Sequence, residues 1–455
     1  MAAPGLASSE DILYSDYHQK FQSAVPQNEE EWLSRASEIS QILSKNAAKR
    51  DIDKKSPRHE VSFLKSSGML KILGPKKYGG GAKRDGSLGM LLEYHLLWST
   101  TANVVRTDEQ KDRLQKEIIE NNYFMGGTVN PRDLDLSIKS DGDHIVFNGQ
   151  KQFNTGGLVS DMTILEGVLE GSGKHIFAAV PTRQPGIQFA ISYNDVENFA
   201  LAHNWNNIGF RLTESGSVKI ENVRIPWEDA LGWNAQTKEP LPQILTVPFA
   251  TLLLPTIQLV FANYYIGISL GAIESAAKYT TTYTRAWPFS EDNKDSPTEE
   301  WYILERYGTF HAHLSAVVAL ADSVGNKLTD IYAKHQDERS VSARERGELA
   351  EAVAAVKVVA TDVRLNLTSG VFEMTGARAT GKNVGLDRFW RDIRTHSLRD
   401  PVAYKKRELE RWALLGEIPE PTWYTWSTSS FSENCGKFHL NHPALETDCD
   451  DEELP

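Results

Sequence analysis

The pattern of hydrophobic and polar positions divides the chain of 455 residues into four parts. Residues 1–125 show apolar positions at helical spacing, and residues 126–238 show short β-rich runs between turn residues. Long helical patterns return over 239–414, and residues 415–455 show little periodicity. The pattern predicts an α+β fold with an N-terminal helical domain, a middle β-domain, a C-terminal helical domain and an extended tail.

A hairpin is the strongest local prediction within the β-rich part. Asn148 and Gly149 stand between two strand-like runs in "HIVFNGQKQFNTG". Asn-Gly pairs favour the tight turn that joins antiparallel strands. The pair therefore predicts a hairpin turn at these two residues.

One stretch is long enough to raise the question of a membrane span. No charged residue occurs between Glu239 and Glu274. The stretch also contains four prolines as well as Gln258 and Asn263. Because backbone groups freed by proline would lack partners in lipid, we expect a helix buried in a bundle or subunit interface.

Composition excludes several classes of protein. The net charge of −12 disfavours nonspecific binding of nucleic acid, which needs a basic face. Only two cysteines occur, Cys435 and Cys449, so no disulfide framework is expected and a reducing, cytoplasmic location fits. The N-terminus lacks an apolar core of signal-peptide length, and no zinc motif or strand-linked GxGxxG fingerprint is found.

Four stretches in order carry a family resemblance. They are "GSLGMLLEYHLLW", "GGTVNPRD" with "FNTGGLVSD", "NWNNIGFRLTESGSVKIENVRIP", and "FEMTGARATGKNVGLDRFWRDIRTHSLRDPVAYK". By these stretches the chain resembles the acyl-CoA dehydrogenase superfamily, and the resemblance covers roughly residues 20–412. Within it, the chain looks most like the flavin-dependent monooxygenase branch typified by dibenzothiophene monooxygenase. The resemblance implies a middle β-barrel or sandwich and a C-terminal four-helix bundle.

The resemblance assigns roles to the segment "RTHSLRDP". Asp400 falls where acyl-CoA dehydrogenases carry a catalytic glutamate, but it is one methylene shorter and precedes Pro401. The monooxygenase branch has His-x-x-His-Asp-Pro here, so His396 matches the first histidine and Arg399 replaces the second. Because arginine stays protonated, His396 becomes the candidate for proton transfer. Arg399 is expected to pair with Asp400, the flavin or an anionic substrate, and an Arg–Asp pair without a catalytic part is the alternative.

The resemblance also implies cofactor contacts. Thr155 matches the position beside the flavin N5 edge, and Phe153 matches a ring-face position. Trp205 matches an aromatic residue near the flavin, with simple core packing as the alternative. Arg285 matches an arginine that reaches the flavin phosphate, often across a subunit boundary, and a surface arginine is the alternative. Further contacts are expected at Thr213, Ser215, Glu373 and Gly376.

Three more residues fall in matching segments. Asn130 heads a loop that resembles the active-site lid of the branch, where its amide would bond a flavin peroxide; a turn asparagine is the alternative. Tyr94 matches a tyrosine that lines the pocket. His95, beside it in an apolar run, is expected to be a core histidine with satisfied hydrogen bonds.

These assignments imply a two-component flavin-dependent monooxygenase. Reduced FMN, with FAD as the alternative, would come from a separate flavin reductase and would activate molecular oxygen at its C4a carbon. One oxygen would pass to sulfur or nitrogen of a small organic substrate. Three alternatives stay open: a nitroalkane-oxidase-like enzyme with Asp400 as base, an acyl-CoA dehydrogenase, and a non-catalytic scaffold. The long uncharged helix and the family resemblance together suggest a homotetramer.

Overall fold

A computed structural model of the chain describes most of the sequence. The described residues are 9–22, 26–54, 56–71, 86–129, 136–189, 205, 207–289 and 294–421. Asn130, the glycines at 79–81 and the residues after 421, with both cysteines, lie outside this part. Predictions that fall on those residues stay predictions.

Six helices occupy the described N-terminal part. They are α1 (Ser9–Gln22), α2 (Glu29–Ser44), α3 (Ala47–Asp53), α4 (Arg58–Ser66), α5 (Gly86–Val105) and α6 (Asp108–Glu120). The continuous helical pattern over 29–53 forms two helices rather than one, with a turn at Lys45 and Asn46. Helix α6 begins at a capping box in which Thr107 and Gln110 satisfy each other's backbone N–H groups. Helix α5 carries Tyr94 and packs against β1 and α8.

The middle part forms one seven-stranded sheet and a two-stranded ribbon. The strands are β1 (Met125–Thr128), β2 (Ser137–Asp141), β3 (His144–Lys151), β4 (Met162–Leu169), β5 (His175–Pro181), β6 (Ile187–Phe189), β7 (Val218–Pro226), β8 (Trp233–Asn234) and β9 (Glu239–Pro240). The sheet runs in the order β1-β4-β2-β3-β7-β6, and β5 pairs with β4. Strands β1 and β2 lie parallel to β4, whereas the other pairs are antiparallel. Strand β1 packs against helix α5.

The predicted hairpin turn at Asn148 and Gly149 is wrong. The turn between β2 and β3 lies at Gly142 and Asp143, where Gly142 has a φ of +58°. Asn148 and Gly149 lie inside β3 at a register irregularity, and Asn148 Oδ1 accepts a hydrogen bond of 2.8 Å from the Asn222 N–H. An Asn-Gly pair suits a strand irregularity as well as a turn, so the motif alone does not distinguish them.

Helices α7 (Pro242–Leu245), α8 (Leu253–Tyr283), α9 (Trp301–His335), α10 (Ala343–Thr375), α11 (Asp387–Ser397) and α12 (Val402–Leu415) form the C-terminal part. Helix α10 contacts α8, α9, α11 and α12. Most of the uncharged stretch lies in α8, which also packs against α5. In the described chain only Pro248–Tyr283 is long and apolar enough to cross a membrane, but 78% of its most apolar window is buried inside the protein. The prediction of a buried bundle helix is therefore confirmed.

Helix α11 fixes the segment 208–211 of the middle part. Arg391 bonds the Ile208 carbonyl at 2.7 Å, and the Phe210 N–H donates to Asp392 Oδ1 at 2.7 Å. Gly209 allows this approach, because a Cβ there would lie 2.3 Å from the Arg391 carbonyl oxygen. Burial raises the pKa of Asp392 to about 6, although the Phe210 N–H opposes that rise. The helix that carries His396 therefore also holds the β-domain segment beside it.

Candidate active site

His396 lies in the last turn of α11, enclosed by aromatic rings. Its Nδ1 lies 2.7 Å from the hydroxyl of Tyr265 on α8. The rings of Phe210, Phe261 and Tyr264 pack on the imidazole, with the Phe261 centroid at 4.4 Å. Burial, and then the nearby positive charge of a lysine on α10, lower the pKa of His396 to about 3. The imidazole is therefore neutral at physiological pH.

Asp400 forms a partly buried ion pair with a buried lysine, which sequence reasoning missed. Its carboxylate bonds the ammonium group of Lys357 on α10 and accepts a bond of 2.9 Å from Gln258 Nε2 on α8. Burial alone would raise the pKa of Asp400, but the charge and hydrogen bond of Lys357 outweigh it and hold the pKa below its ordinary value. The expected pair with Arg399 is wrong, and so is the alternative of a simple Arg399–Asp400 pair at the helix end.

Arg399 lies instead between two aromatic rings. Its guanidinium carbon is 5.4 Å from the centre of the Tyr94 ring and 5.5 Å from that of Phe261. One guanidinium nitrogen donates to the Val129 carbonyl at 3.5 Å. Both ring contacts have cation–π distances. Arg399 therefore places a positive charge beside the rings of Tyr94 and Phe261.

Three buried hydroxyl groups form a chain on the β-domain side. Thr155 Oγ1 lies 2.9 Å from Ser215 Oγ, which lies 2.6 Å from Thr213 Oγ1. Thr213 donates to the Phe210 carbonyl at 3.0 Å, and Trp205 Nε1 donates to the same oxygen at 2.6 Å. The Phe210 ring lies 5.6 Å from His396. The structure thus brings Thr155, Ser215, Thr213 and Trp205 to the same region as His396.

Phe153 has an unusual backbone conformation next to this chain. Its φ is +60°, its side chain is 51% exposed, and its ring meets Trp205 edge to face at 6.0 Å. A left-handed conformation in an aromatic residue is uncommon and often marks a functional position. The exposed ring can therefore contact a bound molecule.

Gly127 on β1 and Trp98 on α5 complete the site. Gly127 N–H donates to the Thr155 carbonyl at 3.4 Å, and a Cβ at Gly127 would lie 2.1 Å from Trp98 Nε1. The buried atoms Tyr94 Oη, Trp98 Nε1 and His396 Nε2 have no hydrogen-bond partner among the described residues. Buried polar groups without partners are rare in folded proteins. These groups, with the hydroxyl chain and Phe153, suit a flat polar cofactor such as flavin.

Arg285 and Glu373 lie elsewhere in the same chain. Arg285 is exposed just after α8, whose last residue is eighteen positions, or roughly 27 Å, beyond Tyr265. Glu373 is exposed, bonds Arg306, and lies sixteen positions, or roughly 24 Å, beyond Lys357 on α10. Gly376 ends α10 with a φ of +80°. A role for these residues at the site needs an extended ligand or a second subunit.

His95 is the core histidine that was expected. Its Nδ1 accepts from the Met125 N–H at 3.0 Å, and its Nε2 donates to the Leu70 carbonyl at 2.7 Å. Burial lowers its pKa to about 4. The prediction is confirmed.

Sequence reasoning missed Lys357, Gln258 and Tyr265 as parts of the site. Lys357 interrupts the apolar run "AAVKVVA", which was a usable signal, because a lone lysine in such a run needs a buried partner. Gln258 and Tyr265 are seven residues apart, two turns of one helix, and therefore share a face of α8.

Comparisons with known proteins agree with this geometry. Residues 259–401 match the family described as acyl-CoA dehydrogenase, C-terminal domain. The chain is 34% identical to a dibenzothiophene monooxygenase of Rhodococcus erythropolis over 405 residues, which are 82% of this chain and 91% of the relative. It is 33% identical to the probable FMNH2-dependent monooxygenase SfnC of Pseudomonas putida over 408 residues, which are 86% of this chain and 97% of the relative.

Solved structures show the same relationship. The methanesulfinate monooxygenase MsuC of Pseudomonas fluorescens matches with a TM-score of 0.77 and 34% identity, over 86% of this chain and 99% of that chain. The FMN-bound TdsC of a Paenibacillus species matches with a TM-score of 0.76 and 30% identity, over 86% and 99%. The chain therefore belongs to the acyl-CoA dehydrogenase superfamily, within its flavin-dependent monooxygenase branch.

Proposed function

We propose that this protein uses reduced FMN and molecular oxygen to place one oxygen atom on the sulfur of a small organic compound. The names of its relatives support the substrate class, since they include monooxygenases of dibenzothiophene and of methanesulfinate. FMN is supported by the FMN-bound TdsC and by SfnC. The observation that carries the proposal is a buried, neutral His396 whose Nε2 lacks a partner in the described chain, beside the Thr155 hydroxyl chain.

The residues of the chain divide between holding the flavin and shaping the reaction space. Thr155, Ser215, Thr213 and Trp205 would hold the isoalloxazine region, and Phe153 would cover it. When bound, reduced FMN supplies the electrons that activate oxygen. Phe261 and Phe210 exclude water around His396, which protects a reactive oxygen species from side reactions.

Oxygen transfer would occur beside His396, Tyr94 and Arg399, which all contact the ring of Phe261. The imidazole N–H and the tyrosine hydroxyl are neutral hydrogen-bond donors for the reacting oxygen, and Arg399 adds positive charge beside the Tyr94 ring. Donors fixed in place before the reaction stabilise developing negative charge at oxygen. The nitroalkane-oxidase alternative needs Asp400 as a free base, but Lys357 and Gln258 occupy that carboxylate.

The test supplies chemically reduced FMN and isotopically labelled oxygen gas to the purified protein with a thioether, a sulfinate or an amine. We expect labelled oxygen in a sulfur product. The His396→Ala variant should release more hydrogen peroxide per product, while exposed His311→Ala on α9 should behave as the wild type. Labelled amine product without sulfur product would refute the substrate class. Oxygen consumption without any labelled product from the wild type would refute the function.

A separate reductase, a homotetramer and a cytoplasmic location complete the proposal. The absence of a strand-linked GxGxxG motif fits an external source of reduced flavin. Exposed aromatic side chains surround Arg285, at Tyr283, Trp287 and Phe289, and suit a subunit interface. Sedimentation should give a tetramer, and Arg285→Ala should weaken FMN binding if that arginine reaches a neighbouring flavin. The scarcity of cysteine favours the cytoplasm.

A further inference from the structure

The proton on His396 can be placed from the hydrogen bond to Tyr265. Both side chains are buried, at 4% and 2% exposure, and Oη lies 2.7 Å from Nδ1. Within the described chain this is the only hydrogen bond of either side chain. Tyr265 therefore has one candidate acceptor for its hydroxyl proton, and that acceptor is Nδ1.

Two proton arrangements are conceivable, and they differ in how many buried polar groups lack a partner. If the Tyr265 O–H donates to Nδ1, the imidazole proton resides on Nε2, and this N–H is the one group of the pair without a partner among the described residues. If Nδ1–H donates to the tyrosine oxygen, both the hydroxyl proton and Nε2 lack partners among the described residues. Since each unsatisfied buried polar group is unfavourable, and a bound ligand can accept from the Nε2–H, the first arrangement is favoured.

The charges around the pair keep both groups neutral. Burial raises the pKa of Tyr265, although Arg364 on α10 opposes the rise; Asp400 and Glu93 add to it. Burial and Lys357 lower the pKa of His396, while Asp400 opposes them. A tyrosinate is therefore a poor product here, and Tyr265 cannot readily replace a proton that His396 gives away. His396 holds its proton rather than relaying one.

We infer that Tyr265 is a positioning residue that fixes His396 as a neutral hydrogen-bond donor with its proton on Nε2. This inference rests on the proposed monooxygenase function. It changes the role expected of His396, from a group that transfers a proton to one that presents an N–H to the reacting oxygen. The surrounding rings of Phe210, Phe261 and Tyr264 hinder rotation of the imidazole and keep Nε2 in one place.

The first test reads the tautomer directly and needs no activity. Nitrogen-15 labelled histidine is introduced into the full-length protein, and the His396 signals are assigned by their loss in His396→Gln. In the wild type, Nε2 should resonate as a protonated nitrogen and Nδ1 as an unprotonated one from pH 8 down to about pH 5, because the histidine pKa lies near 3. A proton on Nδ1, or a charged imidazole in that range, would overturn the inference.

The second test is a double-mutant cycle on product formed per oxygen consumed. A glutamine amide at 396 mimics an Nε2–H donor without needing a tautomer to be fixed. Tyr265→Phe should lower the yield roughly threefold to tenfold in the wild-type background, as expected for one lost hydrogen bond. The same change should have no effect in the His396→Gln background, because there is no tautomer left to fix.

The outcomes of the cycle distinguish the possible failures. Equal losses in both backgrounds would mean that Tyr265 is merely structural and would overturn the inference. A Tyr265→Phe variant with wild-type yield would do the same. If the wild type makes no oxygenated product, the proposed function fails, while the tautomer measurement still decides the role of Tyr265.

Discussion

The Lys357–Asp400 pair allows a stability prediction that can be worked out from the structure. The lysine side chain is 6% exposed and the aspartate side chain 28% exposed. Removing one partner of a buried ion pair typically costs roughly 3–5 kcal/mol, because the other charge stays buried and unpaired. Lys357→Met leaves the more exposed partner, which still has Gln258, so we expect about 3 kcal/mol. Asp400→Asn leaves the more deeply buried charge, so the loss should reach about 5 kcal/mol.

A second ion pair, which joins α10 to α12, provides a matched control. Lys406 and Asp362 form an ion pair at 2.8 Å, but their side chains are 54% and 57% exposed. Exposed pairs contribute about 0–1 kcal/mol, so Lys406→Met should change stability little. The double variant Lys357→Met/Asp400→Asn should recover much of the loss, since it leaves no buried charge.

The assay is urea unfolding followed by far-ultraviolet circular dichroism at neutral pH. The wild type, the two single variants, the double variant and the control are compared at equal protein concentration. The reasoning would be refuted if Lys357→Met were no more destabilising than Lys406→Met. It would also be refuted if the double variant were less stable than both single variants.

Three further outcomes are expected. Gly127→Ala should prevent proper folding or sharply lower thermal stability, because its Cβ would lie 2.1 Å from Trp98 Nε1. The control Gly325→Ala, on α9, places its Cβ in open space and should stabilise the protein by about 0.5–1 kcal/mol. Similar melting temperatures for the two variants would contradict this reasoning. The depressed histidine pKa values, about 3 for His396 and about 4 for His95, favour the neutral forms in the folded state. The contribution of these neutral histidines to the free energy of unfolding is complete above the pKa of an unfolded histidine, about 6.5. Below that pH it should decline by about 1.4 kcal/mol per pH unit for each histidine, until the pH reaches the pKa of the folded state. A melting temperature that stays constant from pH 7 to pH 4 would count against this prediction. Arg399→His should give the product yield a pH dependence that the wild type lacks, because histidine titrates near neutral pH, and identical pH profiles would rule this out.

Local periodicity predicted most helices and strands of the fold correctly, but it could not predict which strands pair within the sheet. The apolar spacing of α5, α9 and α10 is a local property, so it can be read from adjacent residues. The parallel pairing of β4 with β1 and β2 depends on contacts between distant segments. The error at Asn148 has the same origin, because its side chain is bonded by the backbone of Asn222, seventy-four residues away.

The sequence motif was enough to select candidate site residues, but not to predict which charged side chains pair with each other. The motif around His396 pointed to a helix end at which the structure places a buried histidine. The motif could not show that Asp400 pairs with Lys357, which precedes it by forty-three residues. It also could not show that Arg399 lies between the rings of Tyr94 and Phe261. The buried state of His396, which sets its neutral charge, likewise depends on residues from three different segments.

The number of residues between Asp392 and His396 on helix α11 is fixed by the contacts that both side chains make. Asp392 holds the Phe210 backbone, and His396 follows four residues later on the same face. Inserting one residue between them would turn the imidazole by about 100° around the helix axis and break its bond to Tyr265. Surface loops tolerate insertions, but an insertion in this single turn would change the position of His396 relative to the segment 208–211.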